Sequence, residues 1–205
     1  PEGGCMYAVV GSVVTALADK AQDPFRSFPI AMMRYGDGGI GHWGSLCGVV
    51  NGGAALIGLF KNEKDKQRRE QLITELCVWY ETTSLPRYEP AEPKWADEAK
   101  PSVASSVLCH VSVAKWCEAS GSGAFSTEKK ERCRRLATDG AIKVVEVLNR
   151  RLAGPCEPTG LTAEVNSCVD CHGKQELADA TSELAQGAAQ FGTVEPLQDA
   201  VVAME

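Results

Sequence analysis

WGSLCGVVNGGAALIGLF, residues 43–60, is the stretch on which the fold turns. Gly44, Gly48 and Gly52 recur every four residues, so on a helix they share one face. A Gly inside a helix costs roughly 1 kcal/mol relative to Ala, and a stripe of them needs a compensating contact. Two readings are open. Either a neighbouring helix packs tightly against the bare backbone, or a flat cofactor or cluster lies on it.

Outward from this stretch the chain reads as helical almost throughout. GGCMYAVVGSVVTALADK (3–20) is a continuous apolar helix. FRSFPIAMMRY (25–35) is a shorter segment with Pro29 near its start, and GDGGIGHWG (36–44) is a glycine-rich turn. NEKDKQRREQLITELCVWYETTSLP (62–86) is amphipathic: its front is a solvated charged face, and Leu72, Ile73, Leu76, Trp79 and Tyr80 are its apolar side. RYEPAEPKWADEAKP (87–101) is proline-rich and reads as an extended surface loop. SVASSVLCHVSVAKWCEA (102–119) reads as a buried helix. Ser126 is the expected N-cap of the last long helix, which sets Cys133, Ala137, Ala141, Val144 and Leu148 on one face and stops at Gly154-Pro155. The expectation is an all-α fold: a helical, bundle-like domain over 1–153 and an appendage over 154–205 built around CVDCH, residues 168–172.

The 205 residues carry a formal net charge of −6, which argues against a nucleic-acid partner. No apolar run reaches the roughly 18 residues of a membrane span. No signal peptide is visible, and Pro1 without an initiator Met is expected of a mature or truncated form.

Nine cysteines are many for this length, and their odd number cannot all pair within one chain. Two of them lie in CVDCH, residues 168–172. C-x-x-C-H is the signature of covalent haem attachment: two thiols add to the haem vinyl groups, and the next His binds the iron. The competing readings are a zinc half-site, which wants a second ligand pair, and a thioredoxin-like redox pair, which wants a βαβ context that is absent. The expected cofactor is therefore haem c, held by Cys168 and Cys171 with His172 as axial ligand. Haem c is attached outside the reducing cytosol, so a periplasmic or extracellular location is expected.

The second axial ligand decides between electron transfer and ligand chemistry. The chain has three histidines, which leaves His42 in the glycine-rich turn and, as the alternative, His110 beside Cys109. A lone helix His is more often a core residue, so His42 is the first choice, from this chain or a neighbouring subunit. Met6, Met32, Met33 and Met204 are the methionine candidates.

Four further cysteines sit in recognisable contexts. Cys5 opens the first helix in GGCMYAV, and Cys47 lies in LCGVVNGGAAL, which resembles a C-G-A-x-x-G-A element. Cys109 lies in SSVLCHVSV and Cys133 in KKERCRRLATDGAIKVV. In that order, over roughly residues 1–153, they resemble the C_GCAxxG_C_C family of redox proteins. With CVDCH appended, the whole chain resembles the split-Soret cytochromes c, haem proteins of sulfate-reducing bacteria. That resemblance implies a mainly helical fold and haems clustered at one edge of a homodimer. It implies bis-histidine iron with some ligands from the other subunit, and a non-haem iron or iron–sulfur centre held by cysteines. One departure matters: those cytochromes carry two haems per subunit, whereas this chain has a single C-x-x-C-H, so one haem per chain is expected.

The residues by themselves leave that centre open. Thiolates from several packed helices suit an iron–sulfur cluster, but buried cysteines are also ordinary small hydrophobes or disulfide partners. Cys77 and Cys117, near Trp79 and Trp116, read as core, and Cys156 reads as a disulfide or intermolecular candidate. The leading function is a non-enzymatic electron carrier working with redox protein partners as a homodimer or larger homo-oligomer. The alternatives are a haem or iron–sulfur reductase of a small molecule, revealed by a spectrum that shifts with CO or nitrite, and a subunit of a haem-bearing filament.

Overall fold

Val9, Val10, Val13 and Val14 make helix α1 (Gly4–Ala18) the apolar wall of the core, and all four are buried. β-branched residues are middling helix formers, so packing rather than propensity holds this helix. The computed structural model describes residues 3–21, 23–60 and 66–152. All lie in the first of two units of the chain, Pro1–Gly160. The haem-binding appendage expected over 154–205, with Cys156, Cys168, Cys171, His172 and Met204, lies outside the described residues.

After α1, a 3-10 helix (Ile30–Gly36) follows Pro29, where the ring starts a turn without needing an N–H. Then come α2 (Gly48–Leu59), α3 (Lys66–Thr82), α4 (Cys109–Ser120) and α5 (Thr127–Leu152). The all-α expectation holds, with one small addition. Strands β1 (Ser84–Leu85) and β2 (Ser102–Val103) pair antiparallel, Ser84 with Val103 and Leu85 with Ser102. The segment 102–108 is therefore not the start of a helix. It is strand and loop, and α4 begins only at Cys109.

The glycine stripe is also shorter than its spacing implies. Gly44 stands before the helix at φ +71°, in the turn, and Cys47 caps α2. Gly48 and Gly52 do face α1: a Cβ on Gly52 would meet the Met6 carbonyl at 3.1 Å. Tight helix packing is thus the reading that applies to this pair. α2 also packs on α3 and α5, where Leu56, Ile57, Leu76, Val144 and Leu148 close the core. Burying each such side chain contributes about 1.5–3 kcal/mol.

Ser126 caps α5 as expected, its Oγ accepting the Lys129 N–H at 3.2 Å. The buried arc of this helix is wider than its apolar face, because Glu131, Arg132, Arg135 and Asp139 are buried as well. For Glu131, Arg135 and Asp139 the reason is the loop 86–101, which lies against α5 without a ladder of its own. Its backbone N–H groups need acceptors, and α5 supplies them. Asp139 takes the N–H groups of Arg87 and Tyr88 at 2.7 and 3.0 Å. Glu131 takes those of Lys94 and Trp95 at 3.3 Å each, and also pairs with Arg134 and Arg135 at 2.6 and 2.9 Å. Burial alone would raise the Glu131 pKa, but these two guanidinium groups and two amides together hold it down to about 2.

Candidate metal centre

The loops before α2 and α4 run side by side in opposite directions. Leu46 and Leu108 form an antiparallel bridge. The Cys47 N–H donates to the Val107 carbonyl at 2.8 Å, and the Cys109 N–H donates to the Ser45 carbonyl at 2.7 Å. This register sets Cys47, the N-cap of α2, beside Cys109, the first residue of α4. Cys5 lies in the first turn of α1, and Gly48 is why that turn reaches the same place. A Cβ on Gly48 would run into the Gly36 carbonyl, and would stand 2.8 Å from the Met6 nitrogen and 3.1 Å from the Cys5 Cβ. Cys133 comes in from α5.

Three helix N-termini therefore converge on the thiols. Their partial positive charge favours anionic sulfur. The four thiols meet as two hydrogen-bonded pairs. Cys5 pairs with Cys133, which lowers the Cys133 pKa to about 5 against the opposing effect of burial, and Arg132 and Lys129 assist. Cys109 pairs with Cys47, which lowers the Cys47 pKa to about 7, again against burial and with help from Tyr80 and the Val49 N–H. The donors move the other way. Cys5 is raised by its bond to Cys133 and then by burial, and Cys109 by its bond to Cys47 and then by burial. The pairs also feel each other, Cys5 with Cys47 and Cys109 with Cys133. All four are free thiols.

Two cations stand over this group. Arg132 is fully buried, and its Nη1 reaches the Cys133 Sγ at 3.8 Å. Burial disfavours the charge of Lys129, but Cys133, Cys5 and Cys109 outweigh that and hold its pKa above the ordinary lysine value. Arg132 Nε is buried without a hydrogen-bond partner. Such a donor is costly unless an acceptor comes with a bound group. Among the described residues no set of three or more His, Cys, Asp or Glu side chains is gathered to hold a single metal ion. What is gathered is two thiol pairs under a shared positive field, a donor set whose chemistry fits iron.

The two candidate histidines lie at the edge of this group. His42 sits in the turn at φ +67°, 77% of its side chain exposed, with Nε2 3.5 Å from Asp37 Oδ2. A non-glycine residue in that region is uncommon and is found in turns that present a side chain. His110 is exposed too, so it is not the core residue that its helix position implied. Its N–H donates to the Gly44 carbonyl at 2.9 Å, which brings the α4 start against the turn that carries His42. Trp43, 88% exposed, and Ile40 and Leu108 lie in these same two segments. Met6 and Met33 are core residues, whereas Met32 is exposed. Cys77 packs against the core as expected, but Cys117 is half-exposed and does not join it.

Arg132, Lys129 and Ser112 were not singled out by reading the sequence, and Tyr80 was read only as part of the apolar side of its helix. The signal that was there is Cys133 itself, an apolar-tolerant residue inside the charged run EKKERCRR.

The family model described as "Putative redox-active protein (C_GCAxxG_C_C)" matches residues 7–147, a span that holds Cys47, Cys109 and Cys133 and begins just after Cys5. The chain is 35% identical over 174 residues to the split-Soret cytochrome c of Desulfovibrio desulfuricans, covering 82% of this chain and 61% of that protein. It thus spans about three fifths of the length of this curated relative. A solved structure of the split-Soret cytochrome c from Desulfovibrio desulfuricans ATCC 27774, reported with a novel iron centre, is similar at a TM-score of 0.74 and 36% identity. That match covers 82% of this chain and 71% of the other.

Proposed function

Because the chain belongs to the C_GCAxxG_C_C family and is a relative of split-Soret cytochrome c, we propose that it is an electron-transfer protein with two redox groups. One is haem c, attached through Cys168 and Cys171 with His172 on the iron and His42 opposite, His110 being the alternative. The other is an iron centre, of the iron–sulfur type, held by Cys5, Cys47, Cys109 and Cys133. When bound, these groups supply single-electron chemistry.

The observation that carries the reading is the convergence of four thiols, in two pairs, on three helix N-termini beside Arg132 and Lys129. Anionic ligand sets need compensation when water is excluded. Here the backbone and two fixed cations supply it before any iron arrives, so the protein's share of the work is preorganisation. The exposure of His42 and His110 supports either as an axial ligand, because neither is committed to the core. His42, aimed outward by its turn, is suited to an iron carried by a neighbouring subunit of a homodimer. Covalent haem attachment takes place outside the reducing cytosol, which supports a periplasmic or extracellular location and exchange with other redox proteins.

The test is an absorption and EPR spectrum of the full chain with haem and non-haem iron counted. The expected result is one low-spin haem and at least two additional irons per chain. One haem with no additional iron would sink the iron centre, and a high-spin haem that binds CO would replace the bis-histidine reading.

A further inference from the structure

Tyr80 of α3, Ser112 of α4 and Arg132 of α5 form a fully buried polar cluster against the cysteines. Tyr80 Oη and Ser112 Oγ are hydrogen-bonded at 2.8 Å. Arg132 Nη2 donates to the same Ser112 Oγ at 2.8 Å, while its Nη1 reaches the Cys133 Sγ at 3.8 Å. Tyr80 is in turn hydrogen-bonded with Cys47. Buried charges and hydroxyls are expensive, and apolar residues would fill this space more cheaply. Their presence calls for a purpose.

A guanidinium only donates, so Ser112 Oγ accepts from Arg132. Its second acceptor site takes the Tyr80 proton in this structure. An anionic Cys47 sulfur is the stronger acceptor, and the Tyr80 proton turns to it when Ser112 donates its own proton to Tyr80 Oη. In that setting the chain of donors ends on sulfur. Arg132 reaches the other pair directly through Cys133, so each thiol pair receives one donor.

We infer that Arg132, Ser112 and Tyr80 are tuning residues of the cysteine-held centre: Tyr80 donates to Cys47, Arg132 donates to Cys133, and Ser112 couples the two. This inference rests on the iron-centre reading above. Hydrogen bonds to ligand sulfurs withdraw electron density and raise the reduction potential, a lever the protein controls independently of the ligands themselves. None of the three residues is a ligand. Each acts through a sulfur or through another member of the relay.

The experiment is an EPR-monitored redox titration of the full chain after non-haem iron is counted, for the wild type and for Tyr80→Phe, Ser112→Ala, Arg132→Gln and Arg132→Lys. Tyr80→Phe and Ser112→Ala are expected to keep wild-type iron content and to shift the midpoint potential of the centre negative, Tyr80→Phe further. Arg132→Lys, which keeps the charge and loses the fork, is expected to shift less than Arg132→Gln. A purely structural role would change stability or loading and leave the potential of loaded protein where it was. Unchanged potentials in Tyr80→Phe and Ser112→Ala at full loading overturn the relay while leaving the iron centre standing. A wild type without non-haem iron overturns the iron centre itself, and the relay with it. Should Tyr80→Phe fail to fold, Ser112→Ala, which removes only a hydroxyl, carries the decision alone.

Discussion

Cys47 and Cys109 are neighbours because of their backbones, not their side chains. Each donates its N–H to the loop that carries the other, to Val107 at 2.8 Å and to Ser45 at 2.7 Å. Their pairing is therefore built before any ligand binds. The same holds for Cys5, brought in by the contact between α1 and the start of α2.

Substitutions of these cysteines should separate from those of the others. Cys47→Ser and Cys133→Ser are expected to lose most of the non-haem iron while keeping one haem per chain. Cys77→Ser and Cys117→Ser are expected to keep both, because Cys77 packs against the core and Cys117 is half-exposed, apart from the four thiols. Metal analysis alongside haem quantification decides it. Equal iron in all four variants would remove Cys47 and Cys133 as ligands.

Gly48→Ala tests the close approach. The added methyl meets backbone, the Gly36 carbonyl and the Met6 nitrogen, which cannot swing aside as a side-chain tip could. The expected cost is about 1–3 kcal/mol, read as a lower thermal midpoint. Iron content should fall as well, since relief of the clash moves Cys47 away from Cys5. Gly58→Ala, where a Cβ meets open space on the same helix, is the control and should be neutral or slightly stabilising.

A separate prediction concerns pH. Glu75 of α3 binds Lys143 of α5 at 2.9 Å and also pairs with Arg150. Burial would raise its pKa, but the two cations outweigh this and hold it below the ordinary value. A depressed carboxylate contributes stability that is complete above its unfolded pKa and is lost as the pH falls through the folded one. The acid limb below about pH 4.5 should therefore be flatter in Glu75→Gln than in the wild type. The variant should also lose about 0.5–1 kcal/mol at neutral pH, as expected for a partly exposed pair. Denaturant unfolding at pH 7 and pH 3 measures both, and parallel pH curves would count against the pairing.

The two histidines can be told apart by the haem. His42→Ala is expected to turn a low-spin ferric haem high-spin, visible by EPR and in the absorption spectrum. His110→Ala is expected to leave it low-spin. The reverse pattern would assign the iron to His110, and two unchanged spectra would exclude both.

Much of this was legible in the sequence because it is local. The apolar face of α3, Pro29 at the 3-10 helix, Ser126 as a cap and the valines of α1 follow from periodicity and capping chemistry. The misreadings share a cause. Gly44 keeps the four-residue spacing but lies in a turn, since spacing does not show where a helix begins. Residues 102–108 look helical by composition, yet β1 takes up Ser102 and Val103 through a pairing that spans the whole proline-rich loop. The burial of Glu131, Arg132 and Asp139 was not legible because hydropathy scores a residue without its partners, and their partners lie on other elements.

By itself the sequence determined most of the helices and the C-x-x-C-H motif, which depend on residue type and on short spacings, whereas only the resemblance to a known family grouped Cys5, Cys47, Cys109 and Cys133. Only the tertiary structure decided that Cys5 pairs with Cys133 and Cys109 with Cys47, and that Arg132 and Tyr80 stand behind them. These pairings join segments far apart in the chain. Their electrostatics follow from burial and distance, quantities that exist only once α1, α2, α4 and α5 have packed.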